Sequence, residues 1–376
     1  MYKIAVIAGT RPEAIKMAPI VKELDRTDGF ECHLVATAQH RDMLDQVLEL
    51  FDITPYCDLD IMKANQDLTH VTTGVLHGMQ KYISFHKPDM ILVQGDTTTT
   101  YSAALAAFYA KVPIGYVEAG LRTWDRFSPW PEEANRQMTT SLCDIHFPPT
   151  QLSCDNLLAE KVSREDICIT GNTAIDALNI TIKNVANAPS HFDDGKTGIL
   201  VTAHRRENHG DPIRDICGAL LDIADALPDA QIVYPVHFNP NIQGPVRNLL
   251  GHRDDIKLID PVDYTEFVKL MSDCKLILSD SGGVQEEAPS LNKPVLVMRE
   301  TTERPEGVDS GAVKLVGTDR KLITETALEL LNNESAYNAM AAASNPYGDG
   351  LASKRIVYRI GKFFDMDLED PGEFTI

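Results

Sequence analysis

Residues 275–294 read KLILSDSGGVQEEAPSLNKP. Leu276, Ile277 and Leu278 make an apolar run with the reach of a buried strand, Asp280-Ser281-Gly282-Gly283 breaks it, and residues 284–290 suit a helix. Two glycines let a backbone approach a ligand, and the unpaired amides of a helix N-terminus favour phosphate. Glu286 and Glu287 follow about one turn later. Carboxylates there repel a pyrophosphate unless they face something else, and a ribose diol is the natural candidate, because an ionised carboxylate accepts from two vicinal hydroxyls. An ordinary capped βα turn is the plain alternative.

Working outward, strands and helices alternate on both sides of this stretch. Residues 4–8 form a continuous apolar run ending in Gly9-Thr10-Arg11-Pro12-Glu13-Ala14-Ile15-Lys16, so a central parallel strand feeds a helix whose mouth carries Arg11 and Lys16. This is neither GxGxxG nor a GxxxxGKS/T phosphate loop. Residues 32–37 read as a strand and 40–51 as a helix with Met43, Val47, Leu50 and Phe51 on one face. Residues 89–94 form a strand before Gly95-Asp96 and a helix over 101–110, for which Asp96 is a natural N-cap. The strand over 112–117 ends at Glu118, and Glu132 lies in the loop SPWPEEANR that leads into a helix over 133–142. Asp96, Glu118 and Glu132 thus gather at one end of a parallel sheet, and their crowding is expected to favour a protonated member.

A second alternating series begins near Lys196, with strands over 198–202, 231–235, 256–259 and, as the last recognisable one, 295–298. The strand ends carry His204, Arg205, Arg206, His237 and Arg304. Cations come from both halves, carboxylates mainly from the first and the glycine turn from the second, which points to a ligand held in a cleft between two domains. A linker is expected near Gly171-Asn172 or within residues 184–196, and the acidic tail after Phe364 is expected to be weakly ordered. Asp58-x-Asp60 is read as a turn rather than a metal-binding DxD, and no metal site is expected.

At 376 residues two domains are the natural expectation. A net charge of −20, from 35 basic and 55 acidic residues, argues against nucleic acid or an anionic membrane as partner. Seven scattered cysteines without a CxxC pair suggest free thiols in a reducing compartment. The chain opens directly on a strand, and no apolar run has the length of a membrane span, so a cytoplasmic location is expected.

The stretches GTRPEAIKMAP, TAQHRDMLDQ, GDTTTT, VEAGLRT, SPWPEEANR, TGNTAIDAL, TAHRREN, YPVH, SDSGGVQEEAPSL, TTERPEG and NPYGDG, in this order and spanning the chain to about Gly350, resemble the bacterial non-hydrolysing UDP-N-acetylglucosamine 2-epimerases. The resemblance implies a GT-B-like α/β fold of two Rossmann-like doubly wound domains facing across a cleft. The first would cover residues 1–170 with a C-terminal helix, 352–376, packing back on it; the second, residues 171–351, would bind UDP. It further implies a homodimer that interconverts UDP-N-acetylglucosamine and UDP-N-acetylmannosamine for surface polysaccharide, using neither NAD nor metal. The chemistry implied is elimination of UDP to a 2-acetamidoglucal and its re-addition.

Position by position, the resemblance puts the diphosphate on Ser281, Gly282 and Gly283, the ribose on Glu287 and the uracil against Phe267. Arg11, His204 and Arg304 would neutralise phosphate, Lys16 would hold the reacting end, and Asp96, Glu118 and Glu132, with Arg136 in the same loop helix, would surround the sugar. Gln39, Arg206 and His237 match a second pocket in which the substrate acts as allosteric activator. The chain departs from the family pattern there, with Asp42 and Asn65 where some relatives have Gln and Arg, and Val262 stands where others have Gln. A hydrolysing epimerase, a GT-B glycosyltransferase and a non-catalytic nucleotide-sugar sensor remain the rival readings.

Overall fold

The computed structural model describes residues 1–39 and 41–375, Asp42 without its side chain. Two compact units emerge, Met1–Ala177 with Tyr347–Thr375, and Leu178–Pro346. The first contains a parallel sheet of β1 (Tyr2–Ala8), β2 (Phe30–Ala36), β3 (Cys57–Asp58), β4 (Met90–Gln94), β5 (Ile114–Val117) and β6 (Ile145–Phe147), in the order β3-β2-β1-β4-β5-β6. The second sheet comprises β7 (Thr197–Thr202), β8 (Ala230–Pro235), β9 (Ile256–Ile259), β10 (Leu276–Ser279), β11 (Val295–Val297) and β12 (Val313–Leu315), in the order β12-β11-β10-β7-β8-β9. Both orders are the same doubly wound topology, in which the first and fourth strands of a unit lie side by side. Chain direction reverses around that pair, and the crevice outside its carboxyl ends is where such sheets bind ligands.

The apolar runs become central strands because helices cover both sheet faces, so every residue of β4, β5 and β10 is buried. In the first unit Ile7, Val93 and Tyr116 pack with Ala103, Ala107 and Met79. In the second, Val201, Leu278 and Tyr234 pack with Ile216, Leu220 and Ile242. At about 1.5–3 kcal/mol for each large apolar side chain removed from water, these layers supply the main stabilising term.

Several local expectations are corrected. The helix expected over 40–51 spans Arg41–Leu50; Met43 is 53% exposed, whereas Leu44, Val47, Leu48 and Phe51 are buried. Its rotation is set by Arg41, which pairs with Asp58 and, at 2.7 Å, with Asp60 on the adjoining edge-strand segment. The DxD motif is therefore a carboxylate clamp on an arginine, and residue 40 lies outside the described residues. Strands β3, β6 and β12, of two or three residues each, went unread. Asp96 is not a helix cap: Thr97 caps the helix Thr98–Tyr109, its side chain accepting from the Thr100 N–H.

The tail after Phe364 packs instead of fraying. Phe374 is 6% exposed, its N–H donates to the Ile169 carbonyl at 2.9 Å, and the Arg355 guanidinium lies 5.6 Å from its ring centroid. The preceding helix, Ala352–Phe363, has Leu351 at its N-cap and so lacks a side-chain cap of its own. Buried Asp176 substitutes from a distant part of the chain, accepting from the N–H groups of Ala352 and Ser353 (3.2 and 2.8 Å) and from the Ser353 hydroxyl (2.6 Å).

Gly120, just beyond β5, has φ of +89°, and a Cβ there would lie 2.1 Å from the Ser153 carbonyl oxygen. Neither the conformation nor the space suits a side chain. Gly120→Ala is expected to cost about 2 kcal/mol or more, seen as a fall of about 5 °C or more in thermal midpoint. A midpoint within about 1 °C of the parent would contradict this reading.

Candidate functional site

At the switch point of the first unit, the helix Arg11–Arg26 starts directly beyond β1. Thr10 and Glu13 form a reciprocal capping box, and Pro12 occupies the first turn, where no N–H is required. Glu13 does more than cap. Buried at 2% exposure, it accepts from the N–H groups of Gly9 and Thr10 (2.9 and 2.8 Å) and from the hydroxyls of Thr10, Thr97 and Thr100 (3.0, 2.5 and 3.0 Å). Burial pushes its carboxyl up, against the lowering pull of those donors. The turn that delivers Arg11 and Lys16 is thereby tied to the loop that delivers Asp96.

Glu118 ends β5 with φ of +60°, a left-handed conformation that a non-glycine residue holds only when its surroundings impose it. Both carboxylate oxygens receive the Lys16 ammonium, at 2.6 and 2.7 Å, and the Gln94 side-chain amide donates to Oε2. Asp96 is gripped by Arg136, whose Nε and Nη2 reach Oδ2 at 3.0 and 2.6 Å. Asn135 holds the Asp96 backbone carbonyl at 2.9 Å. The expected mutual crowding of acids thus gives way to pairing, with Lys16 on Glu118 and Arg136 on Asp96.

Glu132 starts the helix Glu132–Thr140, half-buried, and its side chain makes no hydrogen bond or ion pair among the described residues. Its neighbour Glu133 is the structural acid. Fully buried, it accepts from the N–H groups of Thr123 and Trp124 and from Gln137 and Arg136. Burial raises its carboxyl, but those amides and the guanidinium outweigh the burial and leave it below the ordinary range. Half-buried Arg11 pairs with no carboxylate among the described residues, so its charge remains available to an anion.

In the second unit the site lies at the ends of β7 and β10. Asp280 is fully buried, and its Oδ2 accepts from the N–H groups of His204 and Arg205 (both 2.8 Å) and from Asn208 Nδ2 (2.9 Å). The loop carrying His204, Arg205 and Arg206 is thereby fixed to the start of the glycine turn. Burial, with Arg205 and His237 nearby, lowers the His204 imidazole below its ordinary value despite Asp280.

The helix after the turn is Gly282–Glu287, followed by a 3-10 turn at Ala288–Leu291, in place of the longer helix expected over 284–290. Ser281 is the N-cap, yet its hydroxyl does not bond the helix amides. A Cβ at Gly282 would lie 2.8 Å from the guanidinium of Arg304. The guanidinium thus lies directly against the glycine backbone, held there by Glu286 through Arg304 Nε at 2.6 Å. Glu287 is buried at 9% exposure, and Phe267 is half-buried in the helix Tyr264–Asp273.

Of the residues matched to a second pocket, Gln39 accepts from the Thr99 hydroxyl at 2.9 Å. Exposed His237 stacks on His204 with ring centroids 5.9 Å apart, and Arg206 is exposed in the turn Arg206–Asn208. Asn65 is exposed with φ of +56°, while the Asp42 side chain lies outside the described residues. Among the described residues no three His, Cys, Asp or Glu side chains come together as a metal site, and no helix is long and apolar enough to cross a membrane.

Sequence reasoning missed Gln94, Glu133, Asp280 and Glu286 as organisers of the site. Only Glu13 carried a legible signal, the Thr10-x-x-Glu13 spacing of a capping box. Chemically, the first unit presents carboxylates able to accept a proton beside cations able to bind an oxyanion, and the second presents helix-start amides flanked by His204 and Arg304.

A model of the UDP-N-acetylglucosamine 2-epimerase family matches residues 22–361. The UDP-N-acetylglucosamine 2-epimerase of Yersinia pestis is 55% identical over 365 residues, covering 94% of this chain and 97% of that protein. The crystal structure of UDP-GlcNAc 2-epimerase from Neisseria meningitidis bound to UDP-GlcNAc superposes with a TM-score of 0.88 at 48% identity, over 96% of this chain and all of that one. MurG of Acinetobacter baumannii, 13% identical with a TM-score of 0.59 over 96% of this chain and 99% of its own, shares the GT-B-like fold alone. By sequence and by structure, the chain belongs to the UDP-N-acetylglucosamine 2-epimerase family.

Proposed function

We propose that the protein interconverts UDP-N-acetylglucosamine and UDP-N-acetylmannosamine by eliminating UDP to a 2-acetamidoglucal and adding it back, without net hydrolysis, for surface polysaccharide. The observation that carries this reading is Glu118, a carboxylate in a left-handed backbone conformation whose oxygens meet Lys16 and Gln94. Donors on both oxygens fix the carboxylate just beyond a strand end, where open α/β sheets bind ligands, which is the placement a proton acceptor needs.

Carbon 2 of the sugar has no adjacent carbonyl, so its proton resists direct removal by a carboxylate. Breaking the anomeric C–O bond first sends the electron pair to the terminal phosphate and leaves an oxocarbenium-like sugar whose C2 proton is acidified. Cations and oriented amides lower that barrier to the extent that they bind the departing charge more tightly than the ground state. In this reading Ser281, Gly282, Gly283, Arg304, His204 and Arg11 receive the diphosphate, and Glu287 and Phe267 take the ribose and the uracil. Lys16 and Arg136 orient the sugar end. Inversion needs proton handling on two faces, and Asp96, Glu118 and Glu132 supply it.

Three attributes complete the proposal: a homodimer, a cytoplasmic location, and substrate activation through Gln39, Arg206 and His237. A glycosyltransferase needs no acids for two faces, a hydrolysing epimerase releases free N-acetylmannosamine, and a sensor leaves C2 untouched. Incubation with UDP-N-acetylglucosamine in D2O separates all of these. NMR of the recovered pool should show both epimers, still carrying UDP, with deuterium at C2; unlabelled sugar would exclude the proposal.

Glu118→Gln and Asp96→Asn are expected to abolish turnover while UDP affinity stays within about tenfold, about 1.4 kcal/mol. Loss of UDP binding in those variants would remove the two acids from the chemistry. For Arg11→Ala and Arg304→Ala, UDP affinity and kcat should fall together, each by about tenfold or more. Unchanged affinity by calorimetry would take these arginines off the diphosphate.

A further inference from the structure

The two oxygens of Asp280 are treated very differently. Oδ2 satisfies three donors, the backbone N–H groups of His204 and Arg205 and the amide of Asn208. Oδ1 is equally buried yet has no hydrogen-bond partner among the described residues, although His204 Nδ1 lies 3.3 Å away. A fully buried carboxylate oxygen left without a donor is costly, of the order of 1–3 kcal/mol. The ring beside it is 41% exposed in its side chain, so one edge remains open to an incoming group.

We propose that Asp280 is a positioning residue for His204: on arrival of a nucleotide diphosphate the imidazole takes up one proton from solvent, donates Nδ1–H to Asp280 Oδ1, and presents Nε2–H to a phosphate oxygen. This rests on the UDP-sugar reading above and goes beyond it by assigning an orienting group and a proton balance to binding. The electron pair released when the anomeric C–O bond breaks then stays on the phosphate, next to a full imidazolium charge. Because Asp280 is fixed from behind by three donors, it cannot turn to follow the ring; the ring must come to it.

Among the described residues, three charged or titratable groups face His204: Asp280 from the end of β10, Arg205 from its own loop, and His237 from the end of β8, stacked at 5.9 Å. Without ligand, burial, Arg205 and His237 disfavour the imidazolium. A diphosphate reverses that balance. The bound state then holds the proton more tightly than the free state, so affinity strengthens as pH falls through the bound-state value towards the free-state value.

The test is calorimetric titration of the full-length protein with UDP-N-acetylglucosamine, whose diphosphate diester has no proton of its own to exchange near neutrality, in buffers of different ionisation enthalpy near pH 7. Binding should consume between about half a proton and one proton per nucleotide. Asp280→Asn keeps a carbonyl oxygen for the three donors but turns an N–H toward Nδ1. Uptake should then fall at least about threefold and kcat about tenfold or more, and His204→Gln should also lose the uptake. Should Asp280→Asn fail to fold, the wild type with 15N-labelled histidine gives the answer alone: both His204 ring nitrogens should move to protonated shifts when the nucleotide is added. Wild-type uptake near zero, full uptake in Asp280→Asn, or only one protonated ring nitrogen would overturn the proposal. A wild type that does not bind the nucleotide at all would overturn the functional reading and, with it, this inference.

Discussion

A charge taken out of water must be met by donors, and in both units one buried carboxylate meets this requirement by joining the loops of the two strands at the switch point. In the first unit Glu13, beyond β1, gathers the amides of its own turn and reaches across to Thr97 and Thr100 beyond β4. In the second the roles are exchanged, and Asp280, beyond β10, reaches across to the amides of His204 and Arg205 beyond β7. An unsatisfied buried carboxylate would cost several kcal/mol, so the loops have little freedom to part. The turn carrying Arg11 and Lys16 is tied by the first clasp and the loop carrying His204 and Arg205 by the second.

The clasps also explain how a chain of net charge −20 can present a surface for a phosphorylated ligand. Most carboxylates near the strand ends, Glu132 apart, are occupied internally: Glu118 by Lys16, Asp96 and Glu133 by Arg136, Glu286 by Arg304. Each pairing leaves nearby hydrogen-bonding groups oriented and offsets carboxylate charge, fully at Glu118 and Glu286 and by half where Arg136 serves both Asp96 and Glu133. In the first unit Arg11, unpaired among the described residues, and in the second the amides after Ser281 are left to favour an anion.

Much of this was legible in the sequence because parallel strands covered on both faces are written as uninterrupted apolar runs, as at residues 4–8 and 276–278. The strand-end motifs were legible for the same reason, since a polar cluster after such a run has only the crevice to occupy. What escaped was whatever depends on partners far apart in the chain. Nothing local distinguishes Gln94 as a donor to Glu118, or Asp280 as the clasp of a loop some seventy-five residues earlier. Strands of two or three residues, such as β3 and β12, carry too few positions for a period. In helix Arg41–Leu50 the expected face was right at Val47 and Phe51 but took Met43 and Leu50 for Leu44 and Leu48, because an anchor that bears on its rotation, Asp58 and Asp60, lies outside it. The tail packs through Arg355 and Phe374, a contact that acidic composition cannot announce.

The account stands on one placement, a nucleotide diphosphate at the carboxyl ends of β7 and β10. A crystal structure of the protein with UDP tests it most directly. The diphosphate should lie within hydrogen-bond distance of the amides following Ser281, with the Arg304 guanidinium and the His204 ring turned onto its oxygens. A diphosphate bound away from Ser281–Gly283, or one that leaves both Arg304 and His204 untouched, would contradict the account.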